Sequence, residues 1–205
     1  MKTNRKLCAA AFGLLGLASG CIVGSPEPWL NEASRDPDAG LTGAWAETRG
    51  NREAAVLWFA PRPGAEGTWT LRADRLREQW TYEVTAHRVD GVALLQVAPA
   101  ESSGSASPFA LMPAHLLLRM DRDADGTLSL RAMNVAAARK RLADDPLRAL
   151  DTRTDKKDGY ILIGEPTEKL AAWVARHVKD PDLFERDPIY VLKPIREDLN
   201  KKSEK

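Results

Sequence analysis

The chain has 205 residues, 43% apolar and 29% charged, a composition that excludes a disordered chain, a collagen and a multi-span membrane protein. Thirty Lys and Arg stand against 29 Asp and Glu, so no bulk charge draws the protein to nucleic acid. The first 20 residues hold Lys2, Arg5 and Lys6 and no acid; without them 27 basic side chains face 29 acidic ones, a net charge of −2.

Lys2, Arg5 and Lys6 precede eleven uncharged residues, Leu7 to Leu17. A helix needs about 20 apolar residues to cross a bilayer, so this run reads as the apolar centre of an export signal. Ala18, Ser19, Gly20 and Cys21 follow. The string Leu17-Ala18-Ser19-Gly20-Cys21 resembles the lipobox of bacterial lipoproteins, with Ala18 where that family most often has Leu. The resemblance implies that residues 1–20 are removed as a signal peptide. It also implies that the Cys21 thiol takes a diacylglycerol and that the new amine is acylated. A thiolate is the most nucleophilic side chain available for that transfer. Cys8 lies inside the removed segment, so Cys21 is the one thiol of the mature chain and no internal disulfide is expected. Two or three acyl chains hold a protein firmly on a membrane. No later stretch approaches spanning length. Ile22, where an Asp would retain the protein in the inner membrane, implies by that family's sorting rule the outer membrane.

Residues 21–40 carry three Pro, two Gly and scattered charge, and they read as the lipidated Cys followed by a flexible tether. Trp29-Leu30 is expected to dock on the domain. The domain itself is read as one unit over 41–195, followed by a polar tail over 196–205. It opens on Leu41-Thr42-Gly43-Ala44-Trp45, and this Gly-x-Trp entering a first strand resembles the start of lipocalin-like barrels, where the Trp plugs the barrel bottom. Strands are expected at Val56–Phe59 and Thr68–Arg72. Residues Gln79–His87 alternate strictly, with Trp80, Tyr82, Val84 and Ala86 on a core face and Gln79, Thr81, Glu83, Thr85 and His87 on a polar face. Asp90-Gly91 signals a hairpin into Val92–Val97. The serine-rich stretch 99–108 has no Gly-x-Ser-x-Gly elbow and reads as a solvated hairpin loop.

His115–Met120 and Thr127–Met133 form the next hairpin, with Leu116, Leu118 and Met120 facing Leu128, Leu130 and Ala132. Between them lies Asp121-Arg122-Asp123-Ala124-Asp125-Gly126. Its opening matches a calcium loop, and Asp121, Asp123 and Asp125 are the candidate metal ligands. The twelfth position is Ala132 and the flanks alternate like strands, so it is not an EF-hand. Turn chemistry alone explains the Asp and Gly.

The period then changes. Asn134 can cap a helix over Val135–Ala143. Arg148–Gly159 reads as charged turns and Tyr160–Gly164 as a strand. A second helix runs from Pro166 and Thr167 through Val178, with Leu170, Trp173, Val174, His177 and Val178 on one stripe. Ile189–Leu192 is a last strand. Residues 115–193 resemble the ends of several small uncharacterised envelope lipoproteins, a resemblance that implies a fold and no activity. The fold class expected is α+β, a strongly twisted antiparallel sheet or half-barrel of about six to nine strands with two late helices packed on it.

No constellation for catalysis emerges. His87, His115 and His177 share no ligand spacing and none adjoins a Cys. Glu165 and Glu168 flank a helix start, where carboxylates favour the helix dipole. Five of the six Trp fall between residues 29 and 80; they suit either an aromatic binding platform or the core of a small sheet, and their strand parity favours the core. The expectation is a non-enzymatic lipoprotein of the bacterial envelope that needs no cofactor. Its partners are the membrane, through the N-terminal lipid, and an envelope protein. The alternative is a carrier of a small apolar ligand with a lipocalin-like barrel, and the least favoured reading is a hydrolase.

Overall fold

A computed structural model describes residues 22–48, 55–75, 78–100, 114–153 and 160–195. The described elements run β1 (Ile22–Ser25), β2 (Gly43–Glu47), β3 (Val56–Pro61), β4 (Thr68–Arg75), β5 (Glu78–Val89), β6 (Val92–Pro99), β7 (His115–Arg122), β8 (Leu128–Ala132), α1 (Val135–Asp144), β9 (Ala149–Arg153), β10 (Tyr160–Ile163), α2 (Thr167–His177) and β11 (Tyr190–Pro194). The chain is mostly β, with two helices, so the α+β expectation holds only loosely.

Eight strands close on themselves in the order β2-β3-β4-β5-β6-β7-β8-β11, each antiparallel to its neighbours. The half-barrel expected from sequence is a full barrel because β6 pairs with β7 as well as β5, from Leu94 opposite Arg119 to Val97 opposite Leu116. Closure satisfies both edges of every barrel strand. The sequence periodicity produces this wall directly. Trp69, Leu71 and Ala73 of β4 and Trp80, Tyr82, Val84 and Ala86 of β5 all point inward and are buried together. Asp90 and Gly91 both take positive φ, 50° and 84°, the two-residue turn that matches the right-handed twist of the flanking strands.

A second layer lies outside the barrel. The N-terminal half of β7 pairs with β1, β1 runs parallel to β10, and β10 pairs with β9. This side sheet, α1 and α2 enclose their own core of Val23, Trp29, Ile161, Leu170, Trp173 and Val174 against Leu94 and Leu117 on the outer wall. Both helices therefore cover the barrel flank and neither enters its lumen. Asn134 caps α1 as its residue type predicts, its side chain accepting from Ala137 N at 2.8 Å. Its amide group also donates to Glu185 at 2.9 Å. Asn134→Ala is expected to cost about 1 kcal/mol in urea denaturation, the usual loss for an N-cap.

The tether expected over 21–40 is corrected by the fold. Ile22–Ser25 is β1, and Trp29 is fully buried in the side layer. From there the chain crosses the outside of β5 and β6, where Leu30 N donates to Gln96 Oε1 at 3.1 Å and Asp36 N to Ala86 O at 2.8 Å. Strand pairing satisfies the backbone that the Pro and Gly content suggested would stay solvated. The docking expected of Trp29-Leu30 is present. The segment expected as turns over 148–159 contains β9; residues 154–159 lie outside the described set.

Candidate functional site

The barrel has one plugged end and a filled interior. Trp45 enters on β2 with its indole buried, its Nε1 donating to Leu41 O at 2.8 Å. The Arg122 guanidinium lies 5.6 Å from the Trp45 ring centroid and donates to Ala39 O at 2.9 Å and Gly40 O at 3.0 Å. Strand β2, the loop before it and the β7–β8 turn are thereby locked over one mouth. Further in, a cavity of about 30 Å³ is lined by apolar side chains including Leu57, Phe59, Val84 and Leu118. That volume matches about one water molecule, and an apolar void gives water no partners.

Cys21 lies outside the described residues. Its neighbour Ile22 opens β1 and packs against the barrel core. No helix among the described residues is long and apolar enough to cross a membrane.

The three candidate metal ligands are placed but not brought together. Asp121, on β7, ion-pairs with Arg119 at 3.0 Å and with Arg131. Asp123 forms the β7–β8 turn through its backbone, which receives Gly126 N at 2.9 Å. Asp125 accepts Thr127 N at 2.9 Å, and that amide holds its carboxyl below the usual range. Among the described residues no group of three His, Cys, Asp or Glu is arranged to hold a metal ion.

The histidines separate in the same way. His177 on α2 contacts Asp145 at 2.9 Å, tying α2 to the end of α1, and its ring lies 4.8 Å from that of Trp173, tilted by 52°. Asp145 also accepts from Arg176, the larger cause of its lowered pKa, with His177 second. His115 is pushed down by burial, partly offset by Glu27 and Glu83. His87, expected on a polar solvated face, is only 1% exposed. Its Nδ1 lies 3.0 Å from Ser34 Oγ and its Nε2 2.9 Å from Thr85 Oγ1. Sequence parity placed His87 and Thr85 on the outward face correctly. It could not show that the chain before β2 returns to cover them.

Glu165 accepts from Arg148 N at 2.9 Å and from Lys169 at 3.1 Å; the Arg148 amide is the larger cause of its lowered pKa. It ties the chain before β9 to the first turn of α2. Most of the serine-rich loop lies outside the described residues. Trp69 and Trp80 face the barrel core as expected. Trp58 does not: at 45% exposure it stands on the outer wall, with the Arg72 guanidinium 5.7 Å from its ring centroid. Its parity within β3 is opposite to the inward Leu57 and Phe59, a signal the short apolar run concealed. Matched against family models, curated proteins and solved structures, the chain finds no counterpart.

Proposed function

We propose that the mature protein is a lipid-anchored lipoprotein of the bacterial envelope that acts as a non-enzymatic binding or assembly module. The string Leu17-Ala18-Ser19-Gly20-Cys21 behind a basic, then apolar, leader carries this reading. Removal of residues 1–20 leaves Cys21 as the first residue, acylated and immediately followed by a folded domain. Ile22 favours the outer membrane. The titratable side chains support a structural role: His87, His177, Asp145 and Glu165 are each occupied by neighbours that hold the fold. Membrane fractionation and intact-mass analysis of the native product test the anchor. The expected product begins at Cys21, carries the added mass of acyl chains and sediments with membranes. Cys21→Ser is expected to lose both the added mass and membrane retention. A wild-type product that is soluble after mild lysis, or that still carries residues 1–20, overturns the reading.

The closed barrel and its apolar void favour a second reading, a carrier for a small apolar ligand. The filled interior weighs against it, since lumen side chains would have to move to admit an acyl chain. Solvent extraction of purified protein followed by mass spectrometry separates the two. A stoichiometric lipid besides the covalent one would favour the carrier.

A further inference from the structure

Between two apolar anchors, the chain outside the barrel is held mainly by polar contacts, with the Arg35 stem and Pro37 resting on Gly67. Trp29 and Leu30 fix one end in the side layer, and Ala39 and Leu41 fix the other at the plugged mouth. From Asn31 to Asp38 no residue is buried. This stretch lies over His87. Arg35 forms a backbone bridge to His87, Asp36 N donates to Ala86 O at 2.8 Å, and Arg88 holds the Asp36 carboxylate at 2.7 Å. Beneath it runs a line of side-chain hydrogen bonds whose directions can be assigned. Gln96 Oε1 accepts from Leu30 N, so its Nε2 faces Thr85 Oγ1 at 3.5 Å and donates there. The Thr85 hydroxyl then donates to His87 Nε2. On the other side, Ser34 Oγ donates to Asn31 O at 3.1 Å, so its oxygen accepts from His87 Nδ1–H. With the imidazole neutral, every donor along this line meets an acceptor.

A second ring proton breaks this line. It turns Nε2 into a donor, so the Thr85 hydroxyl has to rotate and give up the acceptor it had there, and it adds a cation in a covered site beside Arg35. The charged groups around it offer no compensation. On the covering segment, Glu32 pairs with Arg35 at 3.6 Å and Asp36 with Arg88. Strand β6 brings Leu94 and Gln96, both neutral, opposite and beside His87. The β5–β6 turn carries Asp90, paired with Lys179 at 3.2 Å. From the β3–β4 turn, Glu66 turns its backbone carbonyl toward Arg35 and is itself exposed.

We propose that residues 31–38 are an acid-opened flap and that His87 is its latch. Protonation of the ring makes the covered position unfavourable, and lifting the flap lets water solvate the imidazolium. The apolar anchors at Trp29-Leu30 and Ala39–Leu41 stay in place, so the barrel persists while Thr85, His87 and Gln96 become a polar strip on its outer wall. The device does not depend on a lipid at Cys21.

Burial, with Arg35 second, lowers the His87 pKa from 6.5 to about 4 in the closed form. An opened, solvated ring regains the ordinary value, so the open form binds the proton more tightly. The closed form therefore keeps its full advantage above pH 6.5 and loses it as pH falls toward 4. That shift makes opening roughly a hundredfold more favourable at pH 4 than at pH 7.

Amide hydrogen exchange on the full-length protein in detergent, corrected for the intrinsic effect of pH, reads this opening directly. The Arg35 and Asp36 amides are expected to lose roughly a hundredfold protection between pH 7 and pH 4. The barrel amides of Val84 and Leu95 should keep theirs. His87→Gln retains a neutral donor and acceptor and cannot take the proton, so its flap amides should stay protected at pH 4. Unchanged wild-type protection overturns the proposal, as does an equal loss in His87→Gln. Loss that spreads through Val84 and Leu95 also overturns it, because that is acid unfolding of the barrel.

Discussion

Trp173→Ala is expected to destabilise the protein by about 4 kcal/mol, against the 5–15 kcal/mol that holds a typical domain. The indole is completely buried at the centre of the side layer. Its ring lies 6.4 Å from Trp29, tilted by 48°, and 4.8 Å from His177. Truncation removes the largest contact area in that layer and leaves a cavity between α2 and the segment that carries Trp29. The rigid strands and helices around the site cannot collapse to fill it. Trp173→Phe provides the control. The Trp173 Nε1 makes no hydrogen bond in its buried site, so Phe gives up area but leaves no new polar group unsatisfied. Urea denaturation followed by circular dichroism should give a small loss for Phe and a large one for Ala. A loss under about 1 kcal/mol for Trp173→Ala would mean that the side layer contributes little to the fold.

Trp45→Ala is expected to cost about as much, roughly 4 kcal/mol, with a second and separable effect. The indole is both the floor of the barrel and a fastening point. It donates to Leu41 O, and Arg122 lies against its face while holding Ala39 O and Gly40 O. Without the ring, the guanidinium loses its aromatic partner and the loop before β2 loses its tie to the barrel. The mouth then opens on an apolar lumen. The variant should therefore gain fluorescence with an apolar dye such as anilinonaphthalene sulfonate at temperatures where it remains folded. Equal dye binding by the wild type would mean that the mouth is not sealed. Trp45→Phe, which keeps most of the plug but not the N–H, should bind little dye and lose less stability than Trp45→Ala, through the missing hydrogen bond to Leu41 O and the smaller ring.

The barrel wall was legible wherever a strand buries one face. In β5, alternation over Gln79–His87 assigns Trp80, Tyr82, Val84 and Ala86 to the interior, and the packing agrees. The hairpins at Asp90-Gly91 and before Thr127 follow from turn residues that accept positive φ, and Asn134 caps the helix its chemistry suggests. Closure left no local trace. It depends on β6, which ends at Pro99, meeting β7, which begins at His115, and pairing of that kind is decided by the whole barrel. Nor did β1 and β9 stand out, because Ile22–Ser25 and Ala149–Arg153 are short and rely on neighbours for their hydrogen bonds. The outward residues of β5 and β6 show where alternation stops being informative. It gives Thr85, His87 and Gln96 their side of the sheet but cannot tell water from a returning segment of chain. Trp58 failed for the opposite reason: an apolar run too short to reveal its parity hid an aromatic on the outer wall. Asp123 and Asp125 were legible as turn residues, whereas the ion pairs of Asp121 with Arg119 and Arg131 depend on register across β7 and β8.

Strand β1 starts at Ile22, paired with β10 from that residue and with β7 from Gly24. If Cys21 carries acyl chains as proposed, about 3.5 Å of chain separates the acylated residue from the first strand. An anchor of that kind would be no leash. It would hold the folded wall close to the headgroups and leave rotation about the membrane normal as its main freedom. That geometry would favour neighbours held in the same leaflet over diffusing ones.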